Sequence, residues 1–223
     1  MIVLGLDGGL GAFSTAALQS KTVLAAVEVP ASRALEEGLA AVSAVLEKAG
    51  IAPDEIDRLG VGTGPGSFTG VRIAISYAKS LAQGWKLPLA GVGSFDALEY
   101  GIEPSPLPML SVVRGRTGVV SVRYRDGRRE SRHSGYVRDV VAELGAPPDG
   151  LVRAAGDTQD VLAALAERGW SVEPVARVSS PAAVAVAALA GEREPARTFH
   201  EIRADYGELP AAKIPNLPGT RGA

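Results

Sequence analysis

Gly62-Thr63-Gly64-Pro65-Gly66-Ser67-Phe68-Thr69-Gly70-Val71-Arg72-Ile73 joins an apolar strand, Leu59 to Gly62, to a helix expected from about Val71 to Gly84. Four glycines and a proline fall within its first nine positions. Glycine permits positive φ and close backbone approach, and a helix N-terminus presents free N–H groups to an anion. The loop therefore has two readings, a tight strand-to-helix turn or a phosphate cradle. A Walker loop is excluded, because no Lys and hydroxyl follow at the required spacing. The dinucleotide fingerprint fails as well: Thr69 stands where the third glycine belongs, and Pro65 stiffens the turn.

Working outward, Ile2 to Leu6 is a short apolar strand that stops at Asp7-Gly8-Gly9-Leu10-Gly11. Ser14 to Leu18 and Thr22 to Val29 complete an antiparallel meander. Leu35, Leu39, Val42, Leu46 and Ala49 then fall at steps of 4, 3, 4 and 3, one helical face, with Ser32 as the expected N-cap and Gly50 as the stop. Beyond the loop, Leu89 to Val92 is a strand, and Ser94 to about Tyr100 a helix with Ser94 as its cap. The order β-β-β-α-β-α-β-α predicts an α/β domain.

Glu103-Pro104-Ser105-Pro106-Leu107-Pro108 marks a joint. It divides the chain into an N-terminal lobe, 1–104, a smaller α/β lobe, 105–203, and a proline-rich, flexible tail, 204–223. In the second lobe, strands are expected at Met109 to Val113 and Gly118 to Tyr124, a hairpin turn at Asp126-Gly127, and helices near 158–168 and 181–190.

Composition narrows the chemistry. The chain has 223 residues, no cysteine, two histidines and a formal charge of −2. Without cysteine there is no thiol nucleophile, Cys–zinc site, iron–sulfur cluster or disulfide. His133 and His200 lie in charged, loop-like surroundings, and no H-E-x-x-H, H-x-x-x-H or G-x-S-x-G occurs. No catalytic residue and no metal cluster is expected. The N-terminus lacks a basic n-region and Asp7 breaks its apolar run, so a cytoplasmic location away from membranes is expected. Arg114, Arg116, Arg123, Arg125, Arg128, Arg129 and Arg132 face only Asp126 and Glu130, a local charge of +5. That segment is either a solvated hairpin or a contact for RNA or an acidic partner. The helix after the loop is rich in small residues, and Val71, Ile75, Ala78 and Ala82 repeat at helical spacing. They either pack on the helix's own sheet or join the first helix in a partner surface.

The string Gly64 to Ile73, preceded by Leu59-Gly60-Val61-Gly62 and followed by Leu87-Pro88-Leu89-Ala90-Gly91-Val92-Gly93-Ser94, resembles the bacterial TsaB (YeaZ) family. Gly8 and Gly9 after Asp7, and Arg114-Gly115-Arg116, depart from the family's usual pattern. The resemblance implies a two-lobed actin/Hsp70/sugar-kinase-like (RNase H-like) fold with a reduced second lobe. In that superfamily an Asp–Gly turn holds phosphate and metal, so Asp7 and Gly9 read either as a vestige of such a turn or as a plain β-turn. The resemblance also implies a non-catalytic scaffold or activator in adding a threonylcarbamoyl group to adenosine 37 of tRNAs that read codons beginning with A. The implied partners are a TsaD-type catalytic subunit and a TsaE-type ATPase, with tRNA reached indirectly, a TsaC-type enzyme supplying the adenylate, and a homodimer when the chain is alone. Pairing is implied through the first two helices, here Leu35, Leu39, Val42, Leu46, Arg72, Ile75, Ala78 and Ala82. The chain alone is expected to bind no cofactor, with ATP or ADP at the complex interface. The alternative is an ATP-dependent phosphotransferase of the same superfold, using Asp7 and the 62–70 loop. It needs a second phosphate loop, for which Ala154-Ala155-Gly156-Asp157 is the one faint candidate.

Overall fold

The computed structural model describes residues 1–176 and 181–207. Two five-stranded mixed sheets repeat one topology. In the first, β1 (Ile2–Asp7), β2 (Phe13–Gln19) and β3 (Thr22–Val29) form the antiparallel meander, and β4 (Arg58–Gly64) and β5 (Leu89–Gly93) add in parallel, giving β3-β2-β1-β4-β5. In the second, β6 (Met109–Arg114), β7 (Val119–Asp126) and β8 (Arg129–Tyr136) form the meander, and β9 (Leu151–Gly156) and β10 (Ser171–Val175) add in parallel, giving β10-β9-β6-β7-β8.

Helices α1 (Ala34–Ala49) and α2 (Phe68–Trp85) cover one face of the first sheet. Gly50 closes α1 in the left-handed region, φ 65°, where the absent Cβ removes the steric penalty. Ser32 sits in a short 3-10 turn, and Arg33 takes the cap position. The other face receives α6 (Ala182–Glu192), an alanine-rich helix from the far end of the chain. It lies so close that a Cβ at Gly5 would collide with the Ala183 carbonyl. Its ends are capped from the first lobe: the Ala183 N–H donates to Ser14 Oγ at 3.1 Å, and Arg58 Nη1 donates to the Ala190 and Arg193 carbonyls at 3.0 and 2.6 Å. The expected boundary at 104 thus places α6 with the second lobe, whereas its packing attaches it to the first.

In the second lobe, α4 (Val137–Glu143) and α5 (Gln159–Ala166) cover one face of the sheet. The opposite face meets α3 (Ser94–Glu99), which belongs in sequence to the first lobe. Ser94 begins this helix, and Gly93 takes the cap position. Each lobe therefore lends its third helix to the other. Of the expected flexible tail, Ala204 to Gly207 are packed as described below, and the remainder lies outside the described residues.

Candidate functional site: the glycine turns, the cleft and the outer helix face

The two glycine turns interlock. The Ser67 N–H donates to the Gly9 carbonyl at 3.1 Å, and Ser67 Oγ caps α2 by accepting from the Gly70 N–H at 3.2 Å. Helix α2 thus begins at Phe68, earlier than its periodicity suggests. A Cβ at Gly70 would strike the Gly8 carbonyl, and one at Gly66 the Gly9 carbonyl. Gly62 has the same relation to the Asp7 carboxylate. Asp7 is buried, and its Oδ2 accepts from the Gly9 and Leu10 N–H groups at 3.1 and 3.0 Å. Pro65 follows Gly64 through a cis peptide, and Phe68 and Thr69 face solvent. The Gly9 and Leu10 N–H groups are engaged by Asp7, and the Gly70 N–H by Ser67.

A cleft of about 580 Å³ separates the lobes, bounded by Gly9, Leu10, Leu98, Val112 and Gly156 among others. At its charged wall Arg114 donates to Asp157 at 2.6 and 3.1 Å and to Asp160 at 2.7 Å. These hydrogen bonds raise the affinity of the Arg114 guanidinium for its proton and hold the Asp160 carboxyl below the usual range. Ala154 and Ala155 are buried within β9, and Asp157 of that faint phosphate-loop candidate is ion-paired. Among the described residues no group of three or more His, Asp or Glu is placed to hold a metal, and no helix is long and apolar enough to cross a membrane. His133 Nδ1 lies 2.9 Å from Glu143 Oε2.

The expected partner stripe divides in two. Leu35 and Leu39 are 67% and 48% exposed, and Arg72 also faces solvent. Val42, Leu46, Ile75, Ala78 and Ala82 are buried in the core on the first sheet and are not available to a partner. On α1 the buried arc runs through Ala34, Gly38, Ala41, Val42, Val45 and Leu46. The sequence stripe is rotated from that arc by roughly a fifth of a turn, so it starts in solvent and ends in the core. On α2, Ala74, Ala78 and Ala82 serve packing on its own sheet, and Ser76 and Ser80 face solvent.

Sequence reasoning missed two features. Phe68, 50% exposed, stacks on Tyr206 with ring centroids 4.7 Å apart, and the Arg72 guanidinium lies 4.8 Å over the Phe68 ring. The Asp205 N–H donates to the Thr63 carbonyl at 2.7 Å and brings Tyr206 there. Irregular backbone of this kind leaves no periodic signal. The second feature is a cluster of charges around Asp96 and Glu99, contributed by four separate segments. Burial pushes the Asp96 carboxyl up, yet hydrogen bonds from Arg123 and Arg193 outweigh it and hold the group below the usual range.

Two sheets of one topology around a cleft, each flanked by helices, define an α/β fold of the actin/Hsp70/sugar-kinase-like type. The likeness extends to component A of the Acidaminococcus fermentans (R)-2-hydroxyglutaryl-CoA dehydratase (TM-score 0.53, 12% identity, 86% of this chain and 98% of that one). YeaZ from Pseudomonas aeruginosa superposes with a TM-score of 0.69 at 24% identity, over 92% of this chain and 99% of that one. The family model described as TsaD, tRNA N6-adenosine threonylcarbamoyltransferase, matches residues 27–192. The tRNA threonylcarbamoyladenosine biosynthesis protein TsaB of Escherichia coli is 37% identical over 101 residues, 45% of this chain and 44% of that protein. The tRNA N6-adenosine threonylcarbamoyltransferase of Clostridium beijerinckii is 36% identical over 134 residues, 54% of this chain and 40% of that protein. The chain thus spans less than half the length of these two curated relatives. It belongs to the TsaD family.

Proposed function

We propose that this chain takes part in making threonylcarbamoyladenosine on tRNA as a non-catalytic scaffold or activator subunit that pairs with a TsaD-type catalytic chain. The observation that carries the proposal is the interlocked pair of glycine turns in a chain of this family: Asp7 accepts from the Gly9 N–H, and the Gly9 carbonyl accepts from the Ser67 N–H. The pairing surface is the solvent edge of α1 and α2, carried by Leu35, Leu39, Phe68 and Arg72. A TsaE-type ATPase joins the pair, and tRNA is reached through the catalytic partner at adenosine 37. The chain alone holds no nucleotide; ATP or ADP binds at the complex interface. Alone, it self-associates through the same edge.

Reconstitution tests this. A mixture of the TsaD-type subunit, the ATPase, threonylcarbamoyl adenylate, tRNA and this chain should modify the tRNA, and the chain alone should not. Full modification with this chain omitted would overturn the scaffold role. Tight Mg-ATP binding by the isolated chain in calorimetry would favour a phosphotransferase instead.

A further inference from the structure

The arginine-rich stretch that sequence leaves without a role turns inward. Strand alternation on β7 sends Val120, Val122 and Tyr124 toward α4 and α5, and Ser121, Arg123 and Arg125 toward the first lobe. There they meet α3. Arg123, 4% exposed, donates from Nη1 to Asp96 Oδ1 at 2.6 Å and from Nε to Glu99 Oε1 at 3.2 Å. Arg125 and the Ser111 hydroxyl bond the same Glu99. From beyond α6, Arg193 donates to Asp96 Oδ2 at 2.6 Å and to the Gly91 carbonyl at 3.2 Å. Two guanidinium groups approach the Phe95 ring, Arg123 at 5.2 Å and Arg132 at 5.8 Å from its centroid. On the apolar side of α3, Phe95 and Leu98 pack with Met109, Val113 and Ala155 of the second sheet.

We infer that this cluster is a weld: through α3, the arginines of β7 hold the second sheet at one fixed angle to the first. A buried guanidinium that loses its carboxylates is strongly unfavourable, whereas the paired state is tolerated. The planar fork of Arg123 meets two carboxylates one helical turn apart, a geometry that survives only at a single lobe angle. A second tie spans the same gap. Gly207 packs against the Ser121 and Ser134 hydroxyls of the second sheet and against Pro65 of the first lobe, next to the Asp205–Thr63 bond. The hinge closure by which two-lobed proteins enclose ligands is thereby suppressed, and the cleft keeps one width. The same contacts answer the reading of the stretch as an RNA-binding patch. Arg114, Arg123 and Arg125 are committed to Asp157, Asp160, Asp96 and Glu99, which leaves a much smaller outward charge than +5.

The absence of cysteine makes the test direct. Lys48→Cys on α1 and Glu167→Cys after α5, both at exposed positions, accept nitroxide labels without competing thiols. Interspin distances in the full chain should form one narrow distribution that Mg-ATP leaves unchanged. Arg123→Gln should widen it at least about twofold while the far-ultraviolet circular dichroism stays the same, the mark of domains freed to rotate. If Arg123→Gln does not fold, Asp96→Asn, which keeps the shape of a part-exposed side chain and removes its charge, is judged by the same criterion. A wild-type distribution that is broad or bimodal, or that shifts with Mg-ATP, overturns the weld. So does a folded variant as narrow as wild type.

Discussion

The two sheets share a topology but not a chemistry. The first is largely apolar on both faces, one under α1 and α2 and the other under α6, with Ser14 and Thr15 the buried polar side chains of β2. The second is apolar under α4 and α5, and its other face sets Ser111, Ser121 and Arg123 beside the apolar Met109, Val113 and Ala155. Glycine dominates the tight places of the first lobe, where backbone touches backbone. Arginine dominates the inner face of the second, where guanidinium groups meet α3. One lobe is held by shape, the other by shape together with directed charge, and a change of each kind should act differently in each.

The largest effect is expected from Ala78→Glu. Ala78 has no exposed surface and lies between α2 and the first sheet. A carboxylate there is buried without a partner, and the chain should lose about 3–5 kcal/mol, enough to unfold it. Urea denaturation checks this; a midpoint equal to wild type would break the contrast. Next comes Gly70→Ala, whose added methyl meets the Gly8 carbonyl. Overpacking of this kind should cost about 1–3 kcal/mol, and thermal unfolding reports it.

The charged interface predicts a pH signature in place of a packing loss. Because the folded Asp96 carboxyl sits below its usual value, its contribution is present above the unfolded carboxylate range near about pH 3.9 and is lost as pH falls through the folded value. Asp96→Asn should flatten the stability profile below about pH 4 and change its shape little above that. An identical profile in the variant would remove Asp96 from the weld. The smallest effect belongs to Arg128 and Arg129 at the exposed hairpin tip. Alanine at either should shift stability by no more than about 0.5 kcal/mol.

The lobes also differ in how much of them sequence discloses. The apolar runs of β1 and β4, the Gly50 stop and the loop at 62–70 are strong local signals, and they carry the α/β fold. The matching topology of the second sheet is obscured, because β8 reads Arg-Glu-Ser-Arg-His-Ser-Gly-Tyr and β10 contains Glu173 and Pro174, edge strands with little apolar alternation. The interlocking of Gly8, Gly9, Gly66 and Gly70 joins segments some sixty residues apart, so neither turn discloses it alone. Helical period identifies an apolar stripe on α1 but not which flank of it meets the sheet. That is why Leu35 and Leu39 share a periodicity with Val42 and Leu46 and differ from them in exposure.

The exposed flank is where the proposed role is most directly tested. Leu39→Glu replaces a side chain that is 48% exposed, so the monomer should keep its stability within about 0.5 kcal/mol. Calorimetric titration of this variant against the TsaD-type subunit should show affinity at least about tenfold below that of wild type, as expected for an apolar anchor in an interface. Unchanged affinity, with wild-type stability confirmed, would contradict the assignment of this helix face to the partner.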